Sequence, residues 1–399
     1  MTAESTPTPE PENALPGVDF FRDEVEDLHE MVEHTRAMGT VVPVVYAGRR
    51  NWLINDYDTV KAAFSDEEHF SSESFYKFAS QPMQGRTLQV MSGEEHRVNR
   101  ALVSRTFFPK PVSEIVGPII EAEADRCLDR IEGQTEVDLI EAYARPFPFT
   151  VIARMMGIPI HDEEKFLFWA LMLIDFGYDP EAGRRAKAEF DEYMTALIHE
   201  RRANPGGDLI SSLATAEVEG TALTDEEILA FCRLLFPAGS DTTYKALGSL
   251  VYALLQHPQY IQPMLDDAGF CADVVQEGLR WEPPLSFQPR ACSKDITLDG
   301  VDIKAGDAMM FGVSAANRDP KHWDDPHVFD PTRERGNLMT FGHGEHFCLG
   351  THLARRELEV GIRAIFRRFP DMCLCADKPV KMIRAVLRGP KSLWVRPAG

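Results

Sequence analysis

Phe341-Gly342-His343-Gly344-Glu345-His346-Phe347-Cys348-Leu349-Gly350 sets a single thiol in a loop with three glycines around it. Glycine admits positive φ and lets backbone approach a flat ligand with no Cβ in the way. Beyond Gly350, the apolar residues Leu358, Ile362, Ile365, Phe366 and Phe369 fall at helical spacing until Pro370. That spacing predicts a helix starting just after the thiol. Unpaired amide N–H groups and the positive end of the helix dipole favour a thiolate at Cys348. An anionic sulfur, clamped by backbone and open on one side, suits an axial iron ligand.

Working outward, other stretches call for specific chemistry. Thr224-Asp225-Glu226-Glu227 is a capping box, predicting a helix from there to about Leu255, nearly 50 Å long at 1.5 Å per residue. A helix of that length crosses a domain and is normally buried. Its middle, Phe236-Pro237-Ala238-Gly239-Ser240-Asp241-Thr242-Thr243, replaces core residues with a proline, a glycine and hydroxyls that compete for backbone carbonyls, so a kink is expected there. His96 and Arg100 lie four apart on a predicted helix and share a face. Glu277 and Arg280 lie three apart on another, which ends at Pro283-Pro284.

Together these stretches resemble the cytochrome P450 family, the haem-thiolate monooxygenases. Phe341, Gly344, Cys348 and Gly350 match the haem-binding loop, and Ala238-Gly239-Ser240-Asp241-Thr242-Thr243 matches the segment that bends over the oxygen site. The resemblance runs from about Val41 to the C-terminus. It implies a mainly α fold with small β-sheets, the haem lying between a long kinked central helix and the proximal cysteine loop. The cofactor it implies is haem b, iron protoporphyrin IX, with Cys348 as metal ligand and His96, Arg100, Arg290 and His346 as further cofactor-binding residues. Glu277 and Arg280 are expected to join Arg333, in Phe329-Asp330-Pro331-Thr332-Arg333, in a buried ion network. Asp241 and Thr242 are the expected catalytic pair: the threonine orients a water and the carboxylate connects it to solvent, delivering protons. Ala238, Gly239, Leu285, Ser286, Gln288, Val386 and Leu387 are the expected substrate contacts. The aromatic segment from Phe166 to Tyr178 is expected to form a lid.

The reaction implied is hydroxylation, or oxidative dealkylation, of a small to medium apolar molecule with O2 and two electrons. No Gly-x-Gly-x-x-Gly turn is present for a flavin or nicotinamide, so the electrons are expected from a ferredoxin or flavodoxin and its reductase. Arg97, Arg105, Arg355 and Arg356 are candidates for its docking patch, and Arg86 for anchoring a substrate carboxylate. The rival readings are a peroxygenase using H2O2 and a non-catalytic haem sensor or ligand carrier. Relatives of the peroxygenase kind typically lose the acid and alcohol that this chain keeps.

Composition narrows the function classes. A net charge of -21 opposes nucleic-acid binding, and the 44% hydrophobic content supports a sizeable core. Seven scattered cysteines fit a reducing compartment rather than a disulfide framework. With no signal peptide and no apolar run of about 18 residues, a cytoplasmic protein off the membrane is expected. Residues 1–16, rich in Pro, Glu and Thr, read as a disordered lead-in, and 17–399 as one domain. Within that domain, 71–93 reads as a long loop spotted with aromatic residues.

Overall fold

The computed structural model describes residues 18–21, 24–25, 27–159 and 163–398. The expected lead-in, residues 1–16, lies outside them. Helices dominate, and the strands among the described residues form one sheet of four, one of three and three of two. The four-stranded sheet runs in the order Val41–Tyr46, Arg49–Ile54, Ala308–Gly312, Phe287–Ala291. Its first two strands meet at Ala47-Gly48, whose φ values of 53° and 71° suit the two-residue hairpin turn that matches strand twist. Arg49–Ile54 then pairs in parallel with Ala308–Gly312, joining the two ends of the chain in one sheet.

The capping box forms as read: Thr224 Oγ1 accepts from the Glu227 amide at 3.2 Å, and Glu227 accepts from the Thr224 amide at 2.7 Å. The central helix that follows, Asp225–Gln256, has 32 residues and continues as α-helix through Pro237. Between Ile228 and Val251, only Leu234, Ala238, Gly239 and Thr242 keep accessible surface. Three of these, Leu234, Ala238 and Thr242, recur every four residues and so share one face. Helix Pro146–Met155 crosses so closely that a Cβ on Gly239 would lie 2.6 Å from Ile152 Cδ1. Helices Glu163–Asp175 and Pro180–Ala203 also pack on the central helix, with Phe166 and Trp169 of the aromatic segment in the core.

Residues 71–93 are not one loop. They contain helices Ser72–Ala79 and Gln81–Gln84 and a 3₁₀ turn, Leu88–Val90. Such short helices are marginal alone. Here the first docks on strand Phe287–Ala291, and the Gln288 amide donates to the Tyr76 hydroxyl across that contact.

The Glu277 network closes as expected. Arg280 donates to both Glu277 oxygens at 2.7 and 2.8 Å, and Arg333 adds a third bond at 3.0 Å. No helix among the described residues is long and apolar enough to cross a membrane.

Candidate active site

Cys348 precedes helix Thr351–Arg368 by three residues, and its amide donates to the Phe341 carbonyl at 2.9 Å. Gly342 and Gly344 take φ of 70° and 75°, and a Cβ on Gly344 would lie 2.8 Å from the Phe64 carbonyl oxygen. These two glycines are therefore required by conformation and packing. Gly350 is not required in that way, since its φ is -82°.

The Cys348 thiol also differs from expectation. Burial pushes its pKa up, although the Gly350 amide, the Thr351 hydroxyl and Arg100 pull it down. Without a metal the thiol form is favoured, because desolvation outweighs two hydrogen-bond donors and the charge of Arg100. Cys348 nevertheless keeps accessible surface. Depth and accessibility together put the sulfur on the wall of an internal space.

Four polar residues gather near it. Arg100 donates to the Phe347 carbonyl at 2.6 Å, and His96 Nδ1 lies 2.9 Å from a Glu345 oxygen. The His96 and His346 rings are 4.4 Å apart. Arg290 is buried, with its guanidinium against the rings of Tyr76 and Phe311 at 5.6 and 5.8 Å. Burial lowers the pKa of both imidazoles, with Arg100 adding to the effect in each case, and carries His346 down to about 3. Both imidazoles are therefore favoured in the neutral form.

This set fits a haem. Among the described residues, neither Arg100 nor Arg290 has a carboxylate within ion-pair distance, and the buried Nε2 atoms of His96 and His346 have no hydrogen-bond partner. Two guanidinium groups and two imidazole nitrogens left this way call for an anion beside the thiol. The two carboxylates of a porphyrin would meet that need.

On the central helix the acid and the alcohol point along the axis in opposite directions. Thr242 Oγ1 donates back to the Ala238 carbonyl at 2.8 Å, and the Ser240 hydroxyl donates to the Phe236 carbonyl. Asp241 instead reaches forward to Lys245 Nζ at 2.5 Å, in an ion pair buried on both sides. Nothing in the sequence reading gave Lys245 a part. Its spacing from Asp241, four residues on one helix, was the available signal.

Of the expected substrate contacts, Leu285 and Leu387 form an isolated bridge, and the Ser286 amide donates to the Val386 carbonyl at 2.9 Å. The structure thus brings these four residues together, with Gln288 nearby on the same strand. Ser286 itself is fully buried, its hydroxyl 3.5 Å from the Pro283 carbonyl, so its backbone is what it contributes. Gly239 faces Ile152 on the neighbouring helix, where it serves close packing.

The expected arginine sites are also changed. Arg86 is spent on Glu95, with bonds of 2.6 and 2.5 Å. Arg97 pairs with Glu94 and Glu219, Arg356 pairs with Glu121, and Arg355 lies over the Phe341 ring. Two of the four arginines expected in the docking patch, Arg97 and Arg356, are thus paired with acids, whereas Arg105 and Arg355 have no ion pair among the described residues.

Comparison with known proteins agrees with this geometry. The cytochrome P450 family model matches residues 7–166 and 149–393. A relative called polyketide biosynthesis cytochrome P450 PksS, from Bacillus subtilis, is 36% identical over 305 residues, covering 75% of each chain. Erythromycin C-12 hydroxylase from Saccharopolyspora erythraea is 35% identical over 335 residues, covering 82% of this chain and 84% of its own. Among solved structures, CYP109E1 from Bacillus megaterium in complex with testosterone superimposes with a TM-score of 0.84 at 30% identity, covering 93% of this chain and 99% of its own. Likeness of this extent, in sequence and in fold, makes the chain a member of the cytochrome P450 family, a monooxygenase whose cofactor is a thiolate-bound haem.

Proposed function

We propose that this enzyme hydroxylates or oxidatively dealkylates a small to medium apolar molecule, using O2 and two electrons from a ferredoxin or flavodoxin and its reductase. The observation that carries the reading is the accessible face of the central helix. On a helix otherwise buried along its middle, the open positions that share one face are Leu234, Ala238 and Thr242, apolar but for one hydroxyl. Such a face suits an apolar guest with one proton-handling group beside it. Support for a medium-sized guest comes from the names of the relatives, which include an erythromycin hydroxylase, and from the testosterone held by a structural neighbour.

In this reading the cofactor is haem b, with Cys348 as iron ligand and Arg100, Arg290, His96 and His346 directed to its carboxylates. When bound, the haem supplies the oxygen-activating chemistry, and thiolate ligation favours cleavage of the O–O bond. The Gly350 amide, the Thr351 hydroxyl and Arg100 stabilise the sulfur once it gives up its proton to ligation. Thr242 releases the Ala238 carbonyl, at a net cost of about 1 kcal/mol, and turns its hydroxyl to hold a water. Asp241 links that water to solvent. Leu285, Gln288, Val386, Leu387 and Ala238 contact the substrate. Residues 17–399 act as one unit, in the cytoplasm.

Two measurements test this. Cys348→Ser is expected to abolish the red-shifted Soret band of the ferrous carbonyl complex, and its persistence would remove Cys348 as ligand. Thr242→Ala is expected to uncouple electron consumption from product formation. Equal turnover with peroxide alone would replace this reading with a peroxygenase.

A further inference from the structure

We propose that Lys245 is a positioning residue for proton delivery, holding the Asp241 carboxylate in a buried ion pair directed away from Thr242. The inference rests on the assignment of Asp241 to the proton relay. A lysine costs solvation energy at a site that a leucine would fill, and both partners of this ion pair are almost wholly buried. Among the described residues Asp241 is the only hydrogen-bond acceptor of Lys245. The lysine stem is clamped as well: a Cβ on Gly389 would lie 2.7 Å from both Lys245 Cβ and Cγ. Its ammonium is thus fixed where it draws the carboxylate towards the next helical turn, opposite to the direction of the Thr242 hydroxyl bond.

A cavity of about 10 Å³ adjoins Asp241 on the flank of the helix, bounded by Ser240, Tyr244, Arg145, Leu167 and Leu171. Its exposed lining is almost wholly apolar, so no water site competes with Lys245 for Asp241 on that flank. Arg145 borders it. It donates to both oxygens of the exposed Glu141 at 2.6 and 2.7 Å, lies 5.3 Å from the Tyr244 ring, and leaves its buried Nε without a partner. Arg384 lies within electrostatic reach of Asp241 but is engaged with Asp175 at 2.7 and 3.0 Å.

The step proposed is a proton transfer alone. An O–H bond forms on Asp241 as an O–H bond of a solvent water breaks, and bulk solvent returns one proton to that water. No electrons move. Lys245 holds the carboxylate in place until it takes up the proton and then releases the neutral acid, which is free to turn towards Thr242.

The test uses the holoenzyme with its redox partners, and infrared difference spectra as a readout independent of turnover. Lys245→Met should deprive Asp241 of its ion-pair partner, giving a protonated-carboxyl band that vanishes in the Lys245→Met, Asp241→Asn double variant. Product per electron pair should fall about tenfold, less than the roughly 10²–10⁴-fold of a general acid or base itself because Asp241 is retained, with Lys245→Arg recovering most of it. Wild-type spectra and coupling in Lys245→Met would overturn the proposal. Should Lys245→Met fail to fold, Gly389→Ala, which displaces the stem and keeps the charge, should uncouple partially, and wild-type coupling there would overturn it too. If Asp241→Asn alone leaves coupling intact, the relay reading itself fails. If Asp241→Asn uncouples and Lys245→Met does not, only the role of Lys245 is lost.

Discussion

Glu277 and Glu357 stand on two helices packed against each other, Ala268–Trp281 and Thr351–Arg368, both almost fully buried, and their surroundings are opposite. Glu277 accepts from Arg280 through both oxygens, from Arg333 and from the Asp330 amide. Arg280 in turn spends its five donors on Glu277 and on the carbonyls of Asn317, Pro326 and Val328. Neither carboxylate oxygen of Glu357 has a partner among the described residues, and burial pushes its pKa well above the usual carboxylate range. One glutamate is an ion at the centre of a network, and the other is held as a neutral acid. The residue type is the same. What arrives from other segments decides its charge.

Substitutions at buried and exposed glutamates measure that difference. The largest effect is expected for Glu277→Ala, which leaves Arg280 and Arg333 without their counter-charge and should cost about 3–5 kcal/mol, read as a large drop in thermal midpoint or loss of soluble protein. A midpoint within a few degrees of wild type would show that the network is dispensable. Glu282 comes next. Burial raises its pKa, but His29, Arg388 and Arg318 outweigh this and hold it down to about 2. Its stabilisation, about 3 kcal/mol at neutral pH, is present above the unfolded carboxylate pKa and is lost as pH falls through about 2. Glu282→Gln should flatten that part of the acid unfolding profile.

Glu357→Gln should change stability by less than about 1 kcal/mol at acid pH, where folded and unfolded chains both carry the neutral acid that an amide replaces. A raised pKa means that the folded chain keeps a proton the unfolded chain releases, so this residue lowers stability as pH rises. The variant should therefore gain on wild type as pH rises above the unfolded carboxylate pKa. A loss that grows over that range would show Glu357 to be ionised and paired. Smallest of all, Glu95→Gln breaks an exposed ion pair with Arg86 and should cost no more than about 1 kcal/mol, disappearing in high salt.

The same contrast explains what could be read from the chain. Cys348 before a helix, the box at Thr224 and Glu227, and Glu277 with Arg280 were legible because each is a local pattern fixed by helix periodicity and backbone donors. The helices within 71–93 were not, since docking against strand Phe287–Ala291 stabilises them. Gly239 read as an opening for substrate, but Ile152 of another helix fills the space beside it. The Cys348 thiol read as a thiolate from its neighbours in sequence, whereas without a metal its depth in the fold raises its pKa, so that ligation as well as local donors must draw the proton off.

By itself the sequence determined where the capped central helix begins, which cysteine stands in a glycine-rich loop before a helix, and the order in which acid, alcohol and arginines follow one another, because these depend on spacing along one chain. Tertiary structure decided which of those groups are charged, which are accessible and which are already bonded. Burial and electrostatics act through space, and residues far apart in the chain, such as Arg290 with Tyr76 or Lys245 with Gly389, become neighbours only when the fold closes.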